Sequence, residues 1–101
     1  MVYPEIQAVA DAIAEQCAPL KVYLVSQKTA TDGELISFKL AVVVSDDVES
    51  ISELECRLYA QIDSDYPYDL VLYQQKEWDT LRTDSRTFAW KISQTGSVLY
   101  D

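Results

Sequence analysis

Apolar residues recur at two distinct periods along this chain, and the switches between them mark its elements. From Ile36 to Val44 every second residue is apolar (Ile36, Phe38, Leu40, Val42, Val44), with Ser37, Lys39, Ala41 and Val43 between them. Period two over so long a run predicts a strand, Leu35–Ser45. Its second face is polar at one end and apolar at the other, which places it at the middle of a sheet partly covered on both sides. A strand at Lys21–Ser26 precedes it, with Val22 and Leu24 alternating against Tyr23 and Val25, and the polar stretch Gln27–Glu34 reads as the loop between them. Tyr68–Gln74 predicts a third strand, with Leu70 and Leu72 on one face and Asp69, Val71 and Tyr73 on the other. Val98–Tyr100 predicts a short closing strand.

Helical spacing fills the intervals. Pro4 opens a helix at the position where its missing N–H costs nothing, and Pro19 stops it near Cys17 or Ala18. Ile6, Val9, Ala10, Ile13 and Cys17 form its apolar stripe. Asp46 and Asp47 make a turn. Ser50 and Glu53 then give the capping-box spacing ahead of Ile51, Leu54, Leu58 and Ile62, which predicts a helix over Ile51–Ile62. Gln75–Leu81 reads as a short helical or irregular segment with Trp78 and Leu81 turned inward. Ser85 or Thr87 caps a last helix carrying Phe88, Ala89 and Ile92, and Gly96 is expected to end it in the left-handed conformation. The fold class expected is α+β, a two-layer domain spanning residues 1–101, with about three helices on a mixed sheet of about four strands.

Charge narrows the partners. The net charge is −9, from 17 acidic and 8 basic residues, and the basic residues are scattered singly. That field repels a nucleic-acid backbone, so no nucleic-acid partner is expected. No apolar run is long enough for a membrane span, and the first residues lack a basic segment followed by an apolar one, so neither membrane nor secretion is expected and the default location is cytoplasmic. Histidine is absent, which removes the commonest general base and zinc ligand. Cys17 and Cys56, on separate predicted helices, read as two reduced, semi-buried thiols. Asp46, Asp47, Asp63 and Asp65 lack the loop spacing of a calcium site and read as solvated turns. Seven tyrosines and two tryptophans serve mainly the core, with Tyr66, Tyr68, Trp78 and Trp90 as candidate interface anchors.

Several segments together resemble the minimal nucleotidyltransferase domain of the polymerase-beta-like superfamily. Lys21–Ser26 looks like the family strand that enters a Gly-Ser phosphate loop, with Ser26 and Gln27 at the Gly-Ser positions. Ser37–Val44 stands where the family carries Asp-x-Asp. Tyr68–Leu72 is similar to the strand bearing a third carboxylate, and Phe88–Asp101 resembles the closing helix, glycine and strand. The resemblance implies a two-metal nucleotide site, because metals held by such carboxylates neutralise the attacking and leaving oxygens.

The residues at that site depart from the family pattern. One register puts Phe38 and Leu40 at the two Asp positions, and the other puts Ser37 and Lys39 there. Only Asp69 survives as a remnant carboxylate, too few to hold a metal–triphosphate pair. Ser26 has a side chain where backbone must approach phosphate, and Asp32 and Glu34 add negative charge nearby. The expectation is a pseudoenzyme with no metal or other cofactor, kept as a binding or regulatory module. It would self-associate or pair with a helical partner protein, in the manner of toxin–antitoxin-like modules. One alternative is an active transferase with a magnesium site rebuilt from Asp32, Asp46 or Asp69; another is that the chain is some other small α/β domain, since no diagnostic motif remains. Asp69 reads as a remnant of the metal site or as an ordinary strand-end carboxylate facing solvent. A third, more specific reading pairs it with Lys39, heads within about 4 Å, the ammonium substituting for the lost metal.

Overall fold

The computed structural model describes residues 2–101, and the protein folds as an α+β domain built on a four-stranded mixed sheet. Helix α1 (Pro4–Cys17) buries Ile6, Val9, Ala10 and Ile13 along one side. It ends at Ala18, which takes the left-handed conformation (φ 44°) and donates its N–H to the Ala14 carbonyl before Pro19 turns the chain away. Strand β1 (Lys21–Thr29) runs antiparallel to β2 (Leu35–Val44), joined by a turn in which Gly33 has φ 88°. Helix α2 (Ile51–Gln61) is capped by the Ser50 hydroxyl, which accepts from the Glu53 N–H as the sequence spacing predicts.

Strand β3 (Tyr68–Gln74) returns beside β2 in parallel, the right partner for a crossover through α2. Two short helices, α3 (Gln75–Leu81) and α4 (Phe88–Thr95), lead to β4 (Ser97–Tyr100), which pairs antiparallel with the inner part of β1. The sheet order is β3-β2-β1-β4. Thr87 rather than Ser85 caps α4, its hydroxyl accepting from the Trp90 N–H.

Two cores follow from the alternation of β2. Phe38, Leu40, Val42 and Val44 face α1 and α2 and join Val22, Leu70, Leu72, Leu54 and Leu58 in the larger one. Ala41 and Val43 face the other way and join Tyr23, Tyr73, Trp78, Ala89 and Ile92 under α3 and α4. Fully burying a side chain such as Leu40, Leu58 or Ile92 is worth about 1.5–3 kcal/mol, so both sides of β2 contribute. The second cover stops short of the outer end of the sheet, where Lys39 is only half-buried.

Four expectations need correction. The Gln27–Glu34 loop is shorter than the polar composition suggests, because β1 continues to Thr29 by pairing with β2; polar residues suit a strand whose outer half meets water. Ile36 is exposed, although strict alternation places it with Phe38. The pairing shifts by one residue between Lys28 and Thr29, and that irregularity turns Leu35 into the large core instead. Gly96 is extended (φ −72°, ψ 150°) rather than left-handed. A Cβ there would lie 2.7 Å from the Ile92 carbonyl, so close approach is what requires glycine. Finally, Cys56 is exposed rather than semi-buried; Cys17 is half-buried, its thiol pKa raised mainly by burial, and both thiols are free.

Candidate functional site

The segments singled out in the sequence converge at one end of the sheet. Ser26 on β1 is the register partner of Lys39 on β2, and Lys39 is the partner of Asp69 on β3. Directly paired residues of a sheet share a face. Ser26, Lys39 and Asp69 therefore form one row across three strands, on the side of the sheet that carries α4. The neighbouring row, Gln27, Phe38 and Tyr68, projects to the opposite side. Phe38 and Leu40 are buried in the large core, whereas Ser37 and Lys39 share the face of Asp69. Ser37 and Lys39 are thus the β2 positions beside the Asp69 carboxylate.

Ser26 and Gln27 do not sit in a loop. Both are strand residues, and they diverge: Ser26 borders the groove beneath α4, while Gln27 lies near Tyr3 and Pro4 at the start of α1. The hairpin is anchored from that side, since the Tyr3 hydroxyl donates to the Gly33 carbonyl at 2.6 Å.

The Lys39–Asp69 ion pair of the more specific reading is not formed, and Asp69 is an exposed carboxylate near the start of its strand. Among the described residues the ion pairs within 4.0 Å are Arg82–Asp79 and Arg86–Asp84, and neither Lys39 nor Asp69 takes part. Lys39 instead holds its Nζ 4.9 Å from the centre of the Phe88 ring, in cation–π geometry. The physical reason is position: Asp69, the second residue of β3, is exposed to water, while α4 presents the Phe88 ring to the Lys39 ammonium.

The remaining carboxylates are dispersed. Asp32 accepts from the Glu34 N–H within the β1–β2 turn. Asp46 lies at the far end of β2 and accepts from the Lys76 N–H in the first turn of α3, which follows the end of β3. Asp69 is the second residue of β3, so Asp46 and Asp69 stand at opposite ends of the strand pair. Among the described residues no three Cys, Asp or Glu side chains gather as metal ligands.

Aromatic residues surround the row on its core side. Tyr68 stacks between Phe38 (centroids 5.7 Å) and Tyr59 (5.5 Å). Its hydroxyl donates to the Ile62 carbonyl, and the Tyr59 hydroxyl accepts from the Leu70 N–H at 2.7 Å. Burial pushes the pKa of both phenols up, with nearby acidic groups adding to it. Trp78 belongs to the core rather than to any interface: it is buried against Tyr23 and Tyr73, each ring centre 5.3 Å away.

Phe88, Lys91 and Thr95 complete the surroundings of the row, and sequence reasoning did not single them out as site residues. They are spaced three and four apart along α4, so they share the helix side that faces Ser26 and Lys39. That spacing was readable; what it faced was not.

No helix of the described residues is long and apolar enough to cross a membrane. Comparison with models of known families, with curated proteins and with solved structures found no match.

Proposed function

We propose that this chain is a nucleotidyltransferase-like domain that has lost catalysis and acts as a binding or regulatory module. One observation carries the reading: the β2 residue paired with Asp69 is a lysine, and Ser37 precedes it on the same face. A lysine at the centre of the row places positive charge where a divalent cation would sit, and one carboxylate is too few to hold a metal–triphosphate. The partner is a protein, either a second copy or a helical protein. A surface with net charge −9 favours a basic one. Exposed Val98 and Tyr100 on the edge strand β4 add apolar contact area for such a partner.

The test restores what the row lacks. The double variant Ser37→Asp, Lys39→Asp sets two carboxylates beside Asp69. Manganese titrated into the variant is expected to bind, read by water-proton relaxation. Wild type is expected to show no thermal shift with any nucleoside triphosphate and magnesium. A wild-type shift with magnesium–nucleotide that disappears in Asp69→Asn would overturn the reading. Molar mass by light scattering, alone and with candidate partners, then separates self-association from pairing.

A further inference from the structure

The groove between α4 and the outer end of the sheet inverts the charge of the molecule around it. It encloses about 270 Å³. Lys39 enters it from β2, Lys91 and Thr95 from α4, and Ser26 from β1, with Phe88 at its border. Two of the eight basic residues of the chain therefore line one small cavity, together with two hydroxyls, and no carboxylate lines it. Two other grooves follow the acidic trend: one beside α2 is lined by Glu15, Glu49 and Glu53 against Arg57 alone, and one beside α1 by Glu5, Asp63 and Asp65. A third, beside α3, sets Lys21 and Arg82 with the carboxylate of Asp79, which pairs with Arg82. Acids outnumber bases 17 to 8, yet neither lysine of the α4 groove has a carboxylate within ion-pair distance. Asp69, on the next strand, is the nearest acid by register and lies outside the lining.

We propose that this groove binds the oxyanion group of a small organic acid, without a metal. Two ammonium groups supply six donors and the Ser26 hydroxyl one more, a set matched to the lone pairs of a phosphate or carboxylate. The Thr95 hydroxyl donates to the Lys91 carbonyl at 2.8 Å and lines the groove without a free proton. The Phe88 ring lies against the Lys39 ammonium on one side, a weak attraction that favours its place in the groove before the anion arrives. Size limits the ligand. Cavities for drug-sized molecules run to roughly 300–1,000 Å³, so this smaller groove holds an anionic group with a short body, and any larger ligand would extend out of it. The inference rests on the groove alone and stands whether or not the domain descends from an enzyme.

The test is a titration of the full chain in chelator, followed by amide NMR, with three probes: inorganic phosphate, phenyl phosphate and succinate. Saturable shifts are expected at Ser26, Lys39, Lys91 and Thr95. Lys91→Gln removes an exposed side chain and leaves the fold intact; it is expected to weaken binding about tenfold. Lys39→Gln is expected to act in the same direction, and Lys76→Gln, at the distant start of α3, not at all. Saturation by the phosphates alone assigns a phosphate ester, and saturation by succinate alone assigns a carboxylate. Shifts that do not saturate, an affinity unchanged by Lys91→Gln, or an equal loss in Lys76→Gln would each overturn the proposal. So would tight binding only of magnesium–nucleotide, which would return the groove to the catalytic reading.

Discussion

Two glycines illustrate how differently one residue type can be required. At Gly96 the backbone is extended and open to any residue, but an added Cβ would meet the Ile92 carbonyl at 2.7 Å, a backbone atom that cannot swing aside. At Gly33 the space is empty but φ is 88°, a conformation that L side chains rarely adopt. Gly96→Ala is expected to cost about 1–3 kcal/mol, because α4 must shift away from β4. Gly33→Ala is expected to cost about 1 kcal/mol through local strain alone. Urea melts of the two variants check the order, and equal midpoints would contradict it. Ala18 tolerates the left-handed region at the end of α1, where its N–H still reaches the Ala14 carbonyl.

Among the elements, the two layers of helix differ in how they grip the sheet. Helices α1 and α2 supply rows of aliphatic side chains, whereas the short α3 depends on a single large ring. Trp78→Ala is therefore expected to destabilise by about 3–5 kcal/mol, read by denaturant melts. Tyr59, Tyr68 and Tyr73 all have raised phenol pKa values, burial being the first cause in each. A raised folded value favours the neutral form, so their contribution is complete below the ordinary value of 10.0 and is lost as pH rises through the folded values. The denaturation midpoint should fall steadily above about pH 10, less steeply in Tyr59→Phe. The starts of the helices were legible, because Pro4, the Ser50–Glu53 pair and Thr87 act within a turn of themselves, whereas the end of β1 depended on its pairing with β2. Much less of the site was legible. Lys39 and Asp69 could be placed on one face from period two, but the partner that Lys39 took came from α4, which no local pattern brings to β2. Ile36 was misplaced for the same reason: a register shift depends on the pairing of two strands, not on either alone.

For the molecule as a whole, electrostatics act by repulsion rather than by bridges. Both ion pairs join residues two or three apart in sequence, and both are exposed, so neither ties one element to another. Screening the net charge of −9 should therefore stabilise the fold. The midpoint of thermal unfolding is expected to rise by about 2–5 °C between about 0.02 and about 0.3 M sodium chloride. A fall on adding salt would show that attractive pairs dominate instead. Strand β4 reaches β1 only at Val22, Tyr23 and Leu24, and from Val25 onward β1 has a neighbour on one side alone. Main-chain amides along that free flank will trade hydrogen for deuterium sooner than those of the inner half. The arm bearing Ser26 is thus held by β2 along one side and by the Tyr3 hydroxyl at its tip, and the flank left open is the one that looks into the seam beneath α4.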